Sequence, residues 1–367
     1  MSDIKPQSDS ILKKRLRKFK SMKRGYYSFI LICTLYVLSF LNPILVNNQA
    51  LIVSYEGNTF FPAVSSLFKP IFDTPNYEGK QFGQTEVFGK TLFGEPNYRE
   101  LQKQFEKEGK GNWVLMPIYP YSPVENLLSE ISSEPPTAPD SKHIFGTDNR
   151  GRDVFARLAY GFQISISFAI LVTIFAYSIG ISIGATLGYF GGKVDIFGQR
   201  IIEVFSGIPF LFMMMILVSF VKPSFLLLGA MLVFIGGWIG MTYFVRGEFY
   251  REKAKDYVSA AISIGTTDLN VMFKHILPNA LTPVITFAPF AIVGYISSLV
   301  ALDFLGFGLA PPTPSWGELI SQGTQDIRYW WLIVSPLIAM FFTLITIIFI
   351  GEGIREAFDP KVYSRLR

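Results

Sequence analysis

Six stretches of roughly 20 apolar residues restrict this chain's fold more than anything else in it. A segment surrounded by lipid must satisfy every backbone N–H and C=O internally, so such stretches are expected to be helices that cross a bilayer. They run from Tyr26 to Val46, Phe162 to Phe190, Ile201 to Val221, Phe225 to Val245, Leu281 to Leu302 and Trp331 to Ile350, and Glu203 is the only charged residue in them. Composition agrees, since half of the 367 residues are apolar and 17% are charged, with a mean hydropathy of +0.35. The first run follows a basic segment as a signal peptide would. It is too long for that role and no small-residue cleavage site follows it, so it reads as an uncleaved anchor.

The formal charge of +5 is no sign of nucleic acid, because 9 of the 33 basic residues fall in the first 26 positions, directly before an apolar run. A solvated tail beside lipid headgroups accounts for them. Cys33 is the single cysteine, and His143 and His275 are the only histidines, far apart. No metal site, no nucleophile with a supporting base and therefore no catalytic residue is expected.

Short loops rich in Lys and Arg stay on the cytoplasmic side of a membrane. Lys193, Arg200, Arg246, Arg251, Lys253, Lys255, Lys274, Arg355, Lys361, Arg365 and Arg367 fall on the side of the N-terminal tail, against Lys222 and Arg328 in short loops on the other. Both termini are thus expected in the cytoplasm. The division is a basic tail (1–25), a first span (26–46), an extracytoplasmic insert (47–160), a five-helix core (161–350) containing a cytoplasmic loop (247–280), and a C-terminal tail (351–367). The insert is rich in Pro, Gly, Tyr and Phe, with strand-like runs ALIVSY and WVLMPIY, and reads as a small mixed domain.

Gly180, Gly184 and Gly188 recur every four residues in the second span, and Gly236 and Gly240 repeat the spacing in the fourth. Small residues so placed open a groove for a neighbouring helix backbone. Pro209, Pro283, Pro289 and Pro336 lie in or beside spans and are expected to kink them. Glu203 is expected to pair with Arg200 one turn away, with a contact at an inner gate as the functional alternative. Pro209 and Asp303 are further channel or gate candidates. Trp316, Trp330 and Trp331 read as interface anchors.

The loop REKAKDYVSAAISIGTTDLNVMFKHILPNALTP is too polar to insert yet strongly periodic. Tyr257, Ala260, Ala261 and Ile264 fall at i, i+3, i+4 and i+7, giving one helix an apolar face with a small-residue centre. Gly265 suits a left-handed C-terminal cap, and Thr266 or Thr267 an N-cap for a second helix. In that helix Leu269, Met272, Phe273 and Ile276 repeat the spacing, and Pro278 ends it. Periodicity alone admits two arrangements: helices seated in another protein's groove, or helices lying on the membrane with Arg251, Lys253 and Lys255 among headgroups.

The same segment resembles the EAA loop of ABC importer permeases. The family pattern is Glu-Ala-Ala, Gly after three residues, and a Leu-Pro pair whose Pro lies 13 positions beyond that Gly. Ala260, Ala261, Gly265, Leu277 and Pro278 match it, with Ser259 in place of Glu and His275 in place of Ile. From about Gly146 onward, FGTDNRGRDVFARLAYG, GYFGGKVDIFGQRIIEVFSGIP and ALDFLGFGLAPPTPSWGELI resemble dipeptide and oligopeptide permeases. NNQALIVSYEGNTFFP resembles the second permease of Yej-type importers, which take up peptides and peptide-nucleotide antibiotics of the microcin C kind. The resemblance implies an all-α, six-helix type I importer permease with a small extracytoplasmic insert between its first two helices. It implies a homologous second permease, two ATPase subunits that use the ATP, a solute-binding receptor and a peptide cargo, with no cofactor on this chain. Coupling to the ATPases would fall to Tyr257, Ser259, Ala260, Ala261, Ile264, Gly265, Asp268, Leu277 and Pro278. A stand-alone channel or proton-driven carrier is the rival reading, but such carriers place ionisable groups at mid-membrane and show inverted repeats. The run GQTEVFGKT from Gly83 ends like a phosphate-binding loop, yet its spacing is one residue too long and no strand precedes it.

Overall fold

The computed structural model describes residues 11–69, 72, 74–131 and 133–359. Two helices open the chain, α1 (Ile11–Ser21) and α2 (Lys23–Ser39), and the insert follows. Its strands are β1 (Ile52–Tyr55), β2 (Asn58–Phe60), β3 (Glu86–Val87), β4 (Lys90–Thr91) and β5 (Trp113–Leu115), with the helix α3 (Tyr98–Glu108) before β5. The bundle comprises α4 (Val154–Phe190), α5 (Gly192–Ser206), α6 (Phe210–Phe220), α7 (Phe225–Leu232), α8 (Ile239–Lys253), α9 (Asp256–Ser263), α10 (Thr282–Phe304), α11 (Trp316–Gln325) and α12 (Trp331–Phe358).

The single-helix reading of the apolar runs holds for some and not for others. Among the described residues, α4, α10 and α12 are each long and apolar enough to cross a membrane alone. The runs at Ile201–Val221 and Phe225–Val245 are instead broken: α5 and α6 meet at 71°, and the helix from Phe225 meets α8 at 48°. Counting each bent pair as one span gives up to five, and α2 has only 17 residues. The causes are local. Pro209 lacks an N–H and disfavours helical backbone at Ile208, so it becomes the N-cap of α6 rather than an interior residue. Val233–Gly237 forms a π turn in which Gly236 leaves helical geometry. Pro289 and Pro336, by contrast, lie inside the continuous helices α10 and α12, and Pro283 sits in the first turn of α10.

The helix α4 is the mast of the bundle. Asp153 caps it by accepting from the Ala156 N–H at 2.8 Å, and it contributes to four apolar clusters, one of them made by Leu187 with Ile202 of α5 and Trp238. Its first half packs with α10, α11 and α12, its middle with α6, α7 and α10, and its second half with α8 and the segment after it. At 37 residues it extends about 55 Å, well beyond an apolar core of about 30 Å. Its first turns, from Val154, lie inside the stretch assigned to the insert.

Gly180, Gly184 and Gly188 all face α8. A Cβ on Gly184 would stand 2.6 Å from the Thr242 carbonyl oxygen, and one on Gly188 2.6 Å from the Phe249 Cβ. The second glycine pair behaves differently: Gly236 stands in the π turn and a Cβ on Gly240 would meet nothing within 4 Å, so among the described residues no helix packs on either. The tryptophans also divide. Trp316 is 1% exposed and donates to the Leu158 carbonyl, and Trp331 is 6% exposed and donates to the Thr147 carbonyl, whereas Trp330 is exposed. Their indole N–H groups found partners inside the protein, so Trp316 and Trp331 are core residues rather than interface anchors.

In the insert, β1 pairs antiparallel with β2 and β5, placing Val53 opposite Phe60 and Val114. Phe82, Leu101 and Phe105 close its small core. The run from Gly83 to Thr91 is a β3–β4 hairpin whose turn residues Phe88 and Gly89 have φ of 52° and 74°, a two-residue turn and not a cradle leading into a helix. Arg99 anchors the insert by reaching Glu125 at 2.6 Å and Glu130 at 2.5 Å. Burial alone would raise the Glu130 carboxyl, but the hydrogen bonds and charge of Arg99 outweigh it and hold it below its ordinary 4.5. From Ile11 on the basic segment is a helix whose Lys13, Lys14, Arg17 and Lys20 are exposed, and α1 packs along the end of α12, with Lys18 3.4 Å from Glu356 and Arg15 over the Phe358 ring.

Two outcomes are expected. Gly184→Ala lowers the stability of the purified protein by about 1–3 kcal/mol through overpacking, while Gly240→Ala costs nothing or adds up to about 1 kcal/mol, as thermal unfolding in detergent will read. Because the Glu130 carboxyl is depressed in the folded state, its contribution is complete above pH 4.5 and is lost as pH falls below that through the folded value. Arg99→Met abolishes this acid-dependent loss in an insert-directed proteolysis profile.

Candidate functional site

At the end of the bundle where α8 stops and α10 begins, the chain folds into a compact segment, residues 254–281. Lys253 and Lys255 flank its entry, and the β-region backbone of Lys255 breaks α8 from α9. Glu252, with a side chain 2% exposed, holds the joint: its carboxylate accepts from Lys255 Nζ at 2.7 Å and from the Tyr257 hydroxyl at 2.9 Å. Asn279 donates to the same Tyr257 oxygen at 3.3 Å, tying the start of α9 to the far end of the segment. Burial and the adjacent Glu252 carboxylate push the Tyr257 phenol above its ordinary value, so it remains a donor across the physiological range.

The helix α9 ends in a Schellman turn. Gly265, at φ +81°, donates to the Ile262 carbonyl at 3.0 Å, and Thr266 donates to the Ala261 carbonyl at 3.2 Å. A side chain at 265 would be strained by that φ, although the space beside it is open. Thr267 is the N-cap residue of the next turn, Asp268–Asn270, but its side chain makes no capping bond. Asp268 instead accepts from the Tyr189 hydroxyl at 2.5 Å, which fastens the turn to the end of α4. Lys253 adds a second tie by donating to the Tyr189 carbonyl.

The burial pattern revises the two apolar faces expected from periodicity. In α9, Val258 is fully buried and Ala261 is 6% exposed, whereas Tyr257, Ser259, Ala260 and Ile264 face outward, Ile264 at 82% exposed. Ala261 thus supports the bundle and does not share the outer face. Beyond the turn, Val271–Ile276 winds as a π helix, which brings residues five apart to one side. Val271 and Ile276 are both fully buried with Met272, while Leu269 and Phe273 point outward. Pro278 does not end the helix either. It occupies the first turn of Leu277–Ala280, where its missing N–H is harmless, and α10 follows directly. Leu277 packs against the cluster beneath with Val245 and Phe249. One face of the segment is therefore locked to α4 and α8, while Ile264, Leu269 and Phe273 and the small residues Ser259, Ala260 and Gly265 are exposed.

The other candidates lie elsewhere. Glu203 pairs with Arg200 at 2.5 Å on an exposed face of α5, and Pro209 stands at the bend after it. Asp303 is buried at the opposite end of the bundle, where it accepts from Ser315 Oγ at 2.5 Å and from the Leu309 N–H at 2.7 Å. Both of its oxygens are thus committed to the Pro-rich loop. A Cβ on Gly308 or Gly317 would collide with it, so Asp303 fastens the loop that follows α10.

Sequence reasoning passed over two ionic centres. Asp195 takes a bidentate contact from Arg246 at 2.5 and 2.6 Å and a hydroxyl from Tyr250 at 2.8 Å, pinning the start of α5 to α8. At the insert end, the carboxylate of Glu318 on α11 meets Arg157 at 2.5 Å and Arg152 at 3.0 Å, and Arg152 also reaches Asp148 at 2.6 Å. The signal was present in TDNRGRDVFAR, whose charges abut an apolar helix with no room for solvent. Among the described residues no group of three or more His, Cys, Asp or Glu could hold a metal ion. Glu318→Gln is expected to cost about 3 kcal/mol or more, because it leaves two buried guanidinium groups short of counter-charge. The double change Arg157→Met with Glu318→Gln recovers part of that loss in the same unfolding measurement.

The chain matches the family described as binding-protein-dependent transport system inner membrane component over residues 180–364. It is 36% identical to the peptidoglycan transport system permease protein YejE of Agrobacterium fabrum, over 97% of this chain and 95% of that protein. It is 36% identical to the inner membrane ABC transporter permease protein YejE of Escherichia coli, over 98% of this chain and 99% of that protein. It is 32% identical to the dipeptide transport system permease protein DppC of Bacillus subtilis, over 68% of this chain and 78% of that protein.

Proposed function

Since the chain belongs to the family of binding-protein-dependent transport system inner membrane components, we propose that it forms half of the channel of an ATP-driven importer for peptides or peptide-like compounds. The relatives named for dipeptide and peptidoglycan transport support that substrate class. In this reading the chain catalyses nothing and binds no nucleotide. A homologous permease completes the channel, an extracytoplasmic receptor delivers the cargo, and two ATPase subunits supply the energy. Both termini and the segment 254–281 face the cytoplasm of a bacterium across its inner membrane, as the distribution of Lys and Arg supports.

The observation that carries the coupling role is the two-sidedness of that segment. On its outer side Ile264, Leu269 and Phe273 are 82%, 65% and 51% exposed, large apolar side chains that a water-facing partner would cover. Its inner face is bound to α4 and α8 by Val258, Val271 and Ile276 and by the hydrogen bonds of Tyr189, Glu252 and Tyr257. A push on α9 from an ATPase groove would therefore reach α4 and α8 as a rigid displacement rather than be absorbed in the loop. The bends at Ile208–Pro209 and at Gly236 are where the bundle can change angle when the ends move.

Ala260→Glu places a charge on the exposed side of α9 without touching the core beneath. It is expected to reduce co-purification of the ATPase subunits and uptake of labelled oligopeptides at least tenfold, with membrane insertion and melting temperature unchanged. Wild-type recovery of the ATPases with this variant would remove the coupling role from α9.

A further inference from the structure

Where α1 leans on the end of α12, the two helices and the neighbouring ends of α2 and α10 enclose a groove of about 410 Å³. Its walls are apolar, supplied by Phe19, Phe29, Ile285 and Ile354, and its rim carries Arg15 and Lys20. The ring of Phe358 lies 4.6 Å beneath the Arg15 guanidinium and fixes that cation at the mouth. The helix α1 has six basic residues and no acidic one. Facing it, α12 carries Glu352 and Glu356, the latter engaged by Lys18 at 3.4 Å, and Asp359 follows its end, so three acidic residues stand against the six basic ones of α1. The close approach is built into the backbone: a Cβ on Gly25 would stand 3.0 Å from the Phe349 carbonyl oxygen, and one on Gly353 3.0 Å from the Phe19 ring.

We propose that this groove is a binding site for an anionic phospholipid, its acyl chain along Phe29 and Ile354 and its phosphate at Arg15 and Lys20. The position favours a lipid over other amphiphiles, because the groove opens where the apolar helices end, at headgroup depth. Basic residues at that depth attract anionic headgroups, and an apolar wall directly below them has the order of polarity of a lipid, charge outside and hydrocarbon inside. The bound lipid would fill the wedge between α1 and the α10–α12 pair and so hold the N-terminal helix against the bundle.

Native mass spectrometry of the full chain, released from nanodiscs of mixed phosphatidylglycerol and phosphatidylcholine, tests this directly. The wild type is expected to retain phosphatidylglycerol in preference to phosphatidylcholine. Arg15→Gln with Lys20→Gln is expected to lower that retention about tenfold or more, while the charge-matched pair Lys14→Gln with Lys23→Gln, outside the groove, leaves it near wild type. Ile354→Trp, which fills the groove without changing charge, is expected to lower retention of both lipids. Equal retention of the two lipids by the wild type, an equal loss from the charge-matched pair, or full retention by Ile354→Trp would each overturn the site. None of these readouts depends on transport, so the importer reading stands or falls separately.

Discussion

The contact between the glycine face of α4 and the backbone of α8 governs where the rest of the bundle can sit. Apolar helices in a bilayer gain little from burying apolar surface against each other, because lipid is as apolar as their side chains; close backbone approach and dispersion contacts take over. Gly180, Gly184 and Gly188 bring α8 near enough that any Cβ would overlap it. Once that seam is set, the last turn of α8 and the last turn of α4 arrive together. Tyr189, Glu252 and Lys253 can then tie the following segment down.

That geometry explains why residues 254–281 have two characters. The inner residues Val258, Ala261, Val271 and Ile276 complete a cluster begun by Val245 and Phe249. The outer residues Ile264, Leu269 and Phe273 stay exposed among the described residues. The π helix at Val271–Ile276 is what reconciles the two, since its wider winding sets Phe273 outward and Ile276 inward although simple helical periodicity would place them together. A joint made this way is stiff on one side and open on the other, which suits a part that transmits force from a separate protein.

The opposite end is organised by charge. Arg152, Arg157, Asp148 and Glu318 lie within the protein just outside the apolar stretch of α4. An isolated ion there would be costly, and pairing makes it tolerable and geometrically exacting. The network fixes α11 against the start of α4, Trp316 fills the space left by Gly161, and Asp303 gathers the loop between α10 and α11. The insert's own anchor, Arg99 with Glu125 and Glu130, repeats the device in a small domain with little core.

Apolar run length, the four-residue glycine repeat in α4, the left-handed glycine after α9 and the strand-like runs ALIVSY and WVLMPIY of the insert are local properties, and each was legible in the sequence because neighbouring residues alone decide it. The family motifs gave the family membership in the same way. What escaped was whatever depends on residues far apart in the chain. Gly236 and Gly240 carry the same spacing as the α4 glycines but meet no helix among the described residues, Trp316 and Trp331 look like interface residues until the Leu158 and Thr147 carbonyls reach them, and the apolar face of α9 splits between core and surface. Periodicity states which side chains share a side of a helix; only the packed structure decides which side another helix occupies, because burial is a property of the pair and not of the helix.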